Sequence, residues 1–326
     1  MKDDTMTIKN IGLLSTMTLA VIGGMYSTPT LAVIQGVDVA PMDASYMVHL
    51  HENQCTGALI APRTVLTAAH CVNSKSVGSE VFLLRSVNAD GDDEGTRVKV
   101  INKYKPTHLY IIDGKTDPKR FDDIAILELE SMPEGASWLP ISHQEIPLGA
   151  EVYTMGYGHG KRLKKMPVPA TIVAKEASEA YHTEARMVYC PNSKYFSTQY
   201  ISDKYEADED AVCDWLEQRL EKERDEGIYF PREFSITIKN PALPESHPKR
   251  VVNKHGTVVS KYSAEHGDSG GPLIFNDVIY GVTSSVTFTD YSTNMATYYA
   301  GFMRPGMLTW IDDTIAKIEH SPIDIR

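Results

Sequence analysis

Short apolar runs, each ended by turn-forming residues, recur along the first half of the chain. The clearest runs are residues 46–50, 58–60, 81–84 and 97–101. Runs of this length and spacing are typical of the strands of an all-β barrel. Near the other end of the chain, residues 307–318 place four apolar side chains at helical spacing, namely Met307, Ile311, Ile315 and Ile318. The pattern therefore predicts an all-β protein that ends in an amphipathic helix.

The segment from about 160 to 250 departs from this pattern. Residues 206–225 are intensely charged, yet four apolar residues recur there at helical spacing: Val212, Trp215, Leu216 and Leu220. This spacing predicts an amphipathic helix that packs one face on the barrel. A docking surface for a protein partner and a flap that excludes substrates are alternative interpretations. Cys190 and Cys213 bracket the middle of the segment and are expected to pair with each other.

Residues 1–32 have the pattern of a targeting segment. Lys2 and Lys9 lie near its start, residues 11–25 are mostly apolar, and small residues lead to Ala32. The apolar part is shorter than the ~20 residues that a membrane-spanning helix needs. We therefore expect a signal peptide that is cut after Ala32, and a protein that is secreted to the extracellular space or the periplasm without further membrane contact.

Composition limits the possible partners but names no substrate. The chain has 326 residues, of which 42% are hydrophobic and 23% charged, an ordinary globular profile for one or two domains. Its formal net charge of −11 argues against nucleic acids and anionic membranes as partners, because both attract basic surfaces.

One acidic turn is a candidate for calcium, which prefers several oxygen ligands on a flexible loop. Its carboxylates are Asp90, Asp92, Asp93 and Glu94. Their spacing differs from that of an EF-hand, however, and acidic turns are usually solvated. We expect no other metal and no cofactor.

One hydroxyl stands in a setting suited to attack on a carbonyl group. Ser269 lies within residues 267–273 (Gly-Asp-Ser-Gly-Gly-Pro-Leu). A serine nucleophile needs a nearby base, and it needs donors for the charge that develops on the substrate oxygen. Gly267 can turn its N–H into a pocket beside that of Ser269, because a glycine backbone adopts conformations closed to other residues. These two N–H groups are therefore candidates for an oxyanion hole.

Candidates for the base and for its carboxylate partner lie elsewhere in the chain. The sequence contains eleven histidines, and His70 ends the apolar run 65–70, which would hold its imidazole against a packed wall. Asp123 opens the apolar run 123–127, which can bury its carboxylate, and Asp122 is the alternative by one position.

In the order His, Asp, Ser, these blocks resemble the trypsin/chymotrypsin family of serine proteases. The matching blocks are residues 67–71 (Thr-Ala-Ala-His-Cys), 123–127 (Asp-Ile-Ala-Ile-Leu) and 267–272 (Gly-Asp-Ser-Gly-Gly-Pro). The resemblance implies one protease domain over 33–326, built of two six-stranded antiparallel β-barrels with the site in the cleft between them. The implied parts are a first barrel at about 33–145, a second at about 146–305 with an insertion at about 160–250, and a terminal helix at about 306–320.

The resemblance also assigns roles to single residues. Ser269 would attack the substrate, His70 would accept and return the proton, and Asp123 would orient His70. The family pair that matches Cys55 and Cys71 is disulfide-bonded.

A cut after Ala32 would leave Val33 as a new amino terminus, similar to the start of the family's active enzymes. The α-amino group would then pair with Asp268, and export itself would activate this zymogen-like chain without a separate propeptide.

The same alignment places four residues around the substrate pocket. Ser263 falls at its floor, Val286 and Thr297 fall at its walls, and Ser284 falls behind the triad on the strand that pairs with substrate. A neutral floor would leave a cationic side chain unpaired, which disfavours cleavage after Arg or Lys. The bulky walls predict a shallow pocket for Ala, Val or similar side chains, and a chymotrypsin-like preference for large apolar residues is the alternative.

The sequence thus predicts a secreted, monomeric serine endopeptidase that acts on proteins or peptides. A protein of another functional class fits the same features: a binding module with a protease fold that turns over little and uses the insertion for recognition. The intact set of His70, Asp123 and Ser269 favours the enzyme.

Overall fold

The computed structural model describes residues 33–88, 90, 92–106, 111–112, 115–116, 123–158, 162–173, 235–252, 258, 260–286 and 296–321. The predicted signal peptide (residues 1–32), the predicted helix at 206–225 and the pair Cys190 and Cys213 lie outside these residues. Within the described part of the chain, no helix is long and apolar enough to cross a membrane.

The first barrel is a closed ring of six antiparallel strands. The first part of the chain forms β1 (Val37–Asp38), β2 (Met47–Leu50), β3 (Cys55–Ala61), β4 (Thr64–Thr67), β5 (Glu80–Val87), β6 (Asp93–Tyr104), β7 (Ile111–Ile112), β8 (Lys115–Thr116) and β9 (Ala125–Leu129). The ring runs β2-β3-β4-β9-β6-β5. Leu59, Leu66 and Ile126 are fully buried in its core, as expected for the apolar runs that predict these strands.

The second barrel is also a ring of six strands. The later strands are β10 (Glu151–Gly156), β11 (Lys164–Lys165), β12 (Ala170–Val173), β13 (Ser235–Lys239), β14 (Pro272–Phe275), β15 (Val278–Val286) and β16 (Ala296–Gly301). The order β10-β12-β13-β16-β15-β14 closes because β14 pairs back with β10. Val152, Ile238, Leu273 and Tyr299 fill its core. The predicted fold class, two six-stranded antiparallel barrels, is therefore confirmed.

Two predicted boundaries differ from the structure. Strands β12 and β13 lie within the range 160–250 that the sequence pattern assigns to the insertion, yet both belong to the second barrel. The β13 sequence Ser-Ile-Thr-Ile-Lys alternates with the period of a strand, but it is short and therefore a weak signal. Residues 174–234, between these strands, lie outside the described residues.

The first residues of the described chain attach to the second barrel, although the pattern assigns them to the first. Strand β1 pairs with β11, and the Ile34 N–H donates to the Ser263 carbonyl at 2.8 Å. This attachment brings the segment that begins at Val33 next to the chain that leads to Ser269.

The predicted terminal helix is present as α1 (Met307–His320), and it packs on the first barrel. Met307, Ile311 and Ile318 are fully buried on its inner face. The guanidinium of buried Arg63 donates to the Ile318 carbonyl at 2.6 Å and lies 3.7 Å from the Glu128 carboxylate of β9. The helix thereby joins the last residues of the second barrel to the outside of the first.

Candidate active site

His70 lies on a single 3₁₀ turn, Ala69–Cys71, that directly follows β4. A disulfide joins Cys71 to Cys55, with the two Cα atoms 6.1 Å apart, so the expected pairing is confirmed. The ammonium of Lys105 donates to the carbonyls of Ala69 and Val72 at 2.7 Å each. Covalent and hydrogen bonds thus fix the turn on both sides, while the His70 side chain remains 41% exposed.

Asp123 is buried at the start of the segment that leads into β9, and three donors surround its carboxylate. Oδ1 accepts the His70 backbone N–H at 2.8 Å, and Oδ2 lies 2.5 Å from His70 Nδ1 and 2.8 Å from Ser284 Oγ. Burial raises the pKa of Asp123, but the hydrogen bonds from His70 and Ser284 outweigh it and hold this pKa below the ordinary value. The alternative Asp122 lies outside the described residues.

The geometry also assigns the imidazole proton. An ionised carboxylate can only accept hydrogen bonds, so the proton in the contact with Asp123 resides on His70 Nδ1. His70 Nε2 is then left with a lone pair, as a general base requires.

Ser269 lies beside the His70 turn because its own turn packs against strands β3 and β4. The Thr56 N–H donates to the Ser269 carbonyl at 2.9 Å, and the Cys71 Sγ lies 3.7 Å from the same oxygen. Gly270 permits this approach: a Cβ there would lie 2.2 Å from Thr67 Oγ1. In the structure Ser269 Oγ makes no hydrogen bond to His70. Such contacts are often loose without substrate and tighten when it binds.

The two candidate oxyanion donors are unused within the described chain. Neither the Gly267 N–H nor the Ser269 N–H donates to a protein acceptor among these residues. Gly267 has a φ of 95°, and a Cβ there would lie 2.1 Å from the Gly158 carbonyl oxygen, so only glycine fits. Thr56 Oγ1 donates to the Gly267 carbonyl at 2.7 Å and holds the following peptide in place.

Asp268 is fully buried, and its carboxylate accepts three backbone N–H groups. Oδ2 accepts from Val33 at 3.0 Å and from Glu265 at 2.9 Å, and Oδ1 accepts from Gly158 at 3.0 Å. Burial raises the pKa of Asp268 to about 7, and the three hydrogen bonds only partly oppose this rise. The structure therefore brings the Val33 N–H and the Asp268 carboxylate together, and among the described residues no cationic side chain pairs with this carboxylate.

Glu265 is a second carboxyl group next to Asp268. Burial and the nearby Asp268 raise the pKa of Glu265 to about 8, and Lys164 opposes the rise. Glu265 is consequently mostly protonated at neutral pH, so it offers little countercharge to a cationic substrate.

The residues assigned to the pocket divide into two groups. Ser263 and Thr297 are fully buried, and both hydrogen-bond the side chain of Asn240, which is 1% exposed. Val286 is half-buried on β15, where it pairs with Thr297 of β16. Ser284 lies on the same strand and contacts Asp123.

The acidic turn shows no ligand cluster. Asp93 pairs with Arg85 at 3.1 Å, and the backbone N–H groups of Asp90 and Asp92 donate to the Asn88 side chain. Among the described residues, no three of these four carboxylates place oxygen atoms within 4.8 Å of one another. The calcium site stays a prediction.

Sequence reasoning missed Lys105 and Asn240, which support the His70 turn and the pocket. Both are single polar residues that contact chain segments far away in sequence, and no motif marks them. The signal that could have indicated Asn240 is the alternating pattern of Ser235–Lys239, which predicts a strand that ends just before it. In the structure this strand pairs with β16.

Comparisons with known proteins agree with the two-barrel fold. The family model described as Trypsin matches residues 33–208, more than half of the chain. The chain is 23% identical over 274 residues to "Glandular kallikrein" of Sus scrofa, covering 82% of this chain and 89% of that protein. Among solved structures, a human heparin binding protein is similar in fold at a TM-score of 0.50 and 16% identity, covering 85% of this chain and 94% of that one.

Proposed function

Because the chain belongs to the trypsin family, we propose that it is a secreted serine endopeptidase that cleaves proteins or peptides after small aliphatic residues. The observation that carries the proposal is the hydrogen-bonded pair of His70 and Asp123 beside the turn of Ser269. Unused backbone donors at Gly267 and Ser269 add support, since an oxyanion hole needs donors that are not already engaged.

In the proposed reaction, Ser269 Oγ attacks the substrate carbonyl carbon while His70 Nε2 takes the hydroxyl proton. A C–O bond forms, and the electrons of the C=O π bond move to the oxygen, which the N–H groups of Gly267 and Ser269 bind. The intermediate then collapses, the C–N bond breaks, and His70 gives its proton to the departing amine. Water repeats the sequence and releases the acid product. Asp123 keeps the proton on Nδ1 and stabilises the imidazolium.

Activation by a cut after Ala32 is part of the proposal. Val33 has a φ of 40°, a conformation that a β-branched residue rarely adopts inside a chain. The cut removes the preceding carbonyl group and with it this strain. It also leaves an α-ammonium group 3.0 Å from the Asp268 carboxylate, which no cationic side chain in the described part of the chain pairs with. The Cys55–Cys71 disulfide fits an exported protein, because disulfides persist in oxidising compartments.

The neutral pocket supports the proposed preference. Ser263 carries no charge, and the raised pKa of Glu265 keeps that group mostly neutral. Val286 and Thr297 pair across β15 and β16, and side chains larger than glycine at these two positions favour a shallow pocket.

The decisive experiment uses the chain that begins at Val33. We expect a fluorophosphonate to label it, and Ser269→Ala to abolish labelling and lower kcat by at least about 10⁴-fold. Ser45→Ala is the matched control, because Ser45 is a buried serine of the first barrel that bonds Ser137. An unlabelled but folded parent chain would favour the binding module instead.

Specificity is measured on peptides that differ only in the residue before the scissile bond: Ala, Val, Phe or Arg. Highest kcat/KM on Ala or Val is expected. Preference for Phe would support the chymotrypsin-like alternative, and preference for Arg would refute the neutral pocket.

A further inference from the structure

A buried hydrogen-bond network joins two of the residues that the family alignment assigns to the substrate pocket, Ser263 and Thr297. Asn240 Nδ2 donates to Ser263 Oγ at 3.2 Å, and Thr297 Oγ1 donates to Asn240 Oδ1 at 3.0 Å. Ser263 Oγ in turn donates to the Ala264 carbonyl at 2.8 Å. All three side chains are 1% exposed or less, so the network is part of the interior.

Three separate segments converge on this network. Asn240 directly follows β13, whose Ile238 pairs with Thr297 of β16. Ser263 lies six residues before Ser269, in the segment that the Ile34 N–H anchors through the Ser263 carbonyl. The carboxamide of Asn240 therefore bonds to both Ser263 and Thr297, which the family alignment assigns to the floor and to one wall of the pocket, and it holds these two residues together.

The directions of these hydrogen bonds determine which groups of a substrate the network can bind. A serine or threonine hydroxyl carries a single proton, and both protons here are donated to protein acceptors. The network carries no negative charge for a cationic side chain and no spare hydroxyl proton for an anionic one. A small apolar side chain approaches such a neutral surface without giving up hydrogen bonds to water, whereas a charged side chain would lose its hydration with no countercharge in return.

We propose that Asn240 is a specificity-determining residue: its carboxamide closes the end of the substrate pocket and restricts cleavage to small apolar side chains. This inference rests on the proposed peptidase function. The assignment goes beyond the pocket residues named from sequence, because Asn240 belongs to none of the motif blocks and lies 29 positions before Ser269.

Two substitutions of Asn240 test the proposal: one adds a charge at the end of the pocket, and the other removes the side chain that closes it. Asn240→Asp keeps the shape of the side chain but places a carboxylate at the pocket end. We expect the ratio of kcat/KM for Arg to kcat/KM for Ala to rise at least tenfold at pH 8 and to fall back at acidic pH, as the buried carboxylate is protonated. Asn240→Ala removes the carboxamide, and the ratio for Leu to Ala is expected to rise at least tenfold because the pocket deepens.

Each ratio is taken within one variant, so a partly unfolded sample does not change it. Thr314→Ala is the control for lost stability, since Thr314 is a buried residue of α1 that bonds the Trp310 carbonyl. It should leave both ratios unchanged. If Asn240→Asp fails to fold, Asn240→Ser replaces it, with a rise in the Leu to Ala ratio as the expected result.

Unchanged ratios in every Asn240 variant, with an active parent, would overturn the proposal and leave the residue a purely structural role. A parent chain that neither cleaves peptides nor binds fluorophosphonate would overturn the proposed function, and this inference with it.

Discussion

The pairing of Val33 with Asp268 predicts a pH-dependent difference between two chains that differ by one residue. One chain begins at Val33 and the other at Ala32, which moves the α-ammonium group away from the buried carboxylate. In the longer chain Asp268 has only neutral N–H partners, and its pKa is about 7 against an ordinary value of 3.8. Keeping this carboxylate ionised in the folded state therefore costs roughly 4 kcal/mol.

The raised pKa determines the direction of the effect. A carboxyl group whose pKa is higher in the folded protein stabilises the fold at low pH, and this contribution is lost as pH rises from about 4 to 7. The longer chain should therefore lose stability over that range. In the chain that begins at Val33, the ammonium group offsets the cost. We expect the difference in the free energy of unfolding between the chains to grow by roughly 2–3 kcal/mol from pH 5 to pH 7.5.

Urea unfolding of both chains at the two pH values measures the difference. Glu265, which also has a raised pKa, is present in both chains and contributes equally. Asp268→Asn in each chain is the control, because without the carboxylate the pH-dependent difference should vanish. A difference that stays constant with pH, or that persists in Asp268→Asn, would refute the electrostatic reasoning.

Three further predictions concern the His70 segment. Asp123→Asn should lower kcat by about 10⁴-fold with little loss of stability, because the imidazole loses its orienting acceptor; steady-state kinetics and thermal unfolding measure the two effects. Replacing Cys55 and Cys71 together by serine should lower the free energy of unfolding by about 3 kcal/mol in urea titrations, and an unchanged value would contradict the chain-entropy account. Lys105→Met removes two hydrogen bonds from the turn that carries His70, so kcat/KM should fall roughly 10- to 100-fold, with partial recovery in Lys105→Arg.

The candidate catalytic residues could be recognised in the sequence because the proposed chemistry demands local motifs around each of them. The turn at Ser269 needs glycine at 267 and at 270, because a side chain there would clash with Gly158 or Thr67. The candidate nucleophile is therefore surrounded by a short, recognisable glycine motif. Likewise, an apolar run that buries Asp123 is visible as a strand. These constraints act within a few residues, and a reader of the sequence can recognise them.

The two residues that support the site, Lys105 and Asn240, could not be predicted in this way. Lys105 acts on carbonyls more than 30 residues away, and Asn240 bridges residues 23 and 57 positions further along the chain. A lysine after a strand and an asparagine before a proline are common in any protein. The residues that they contact are determined only by how the barrel closes. The specificity proposed for this site depends on such a contact. Its pocket can therefore be argued from the register of β13 against β16, which no motif in the sequence encodes.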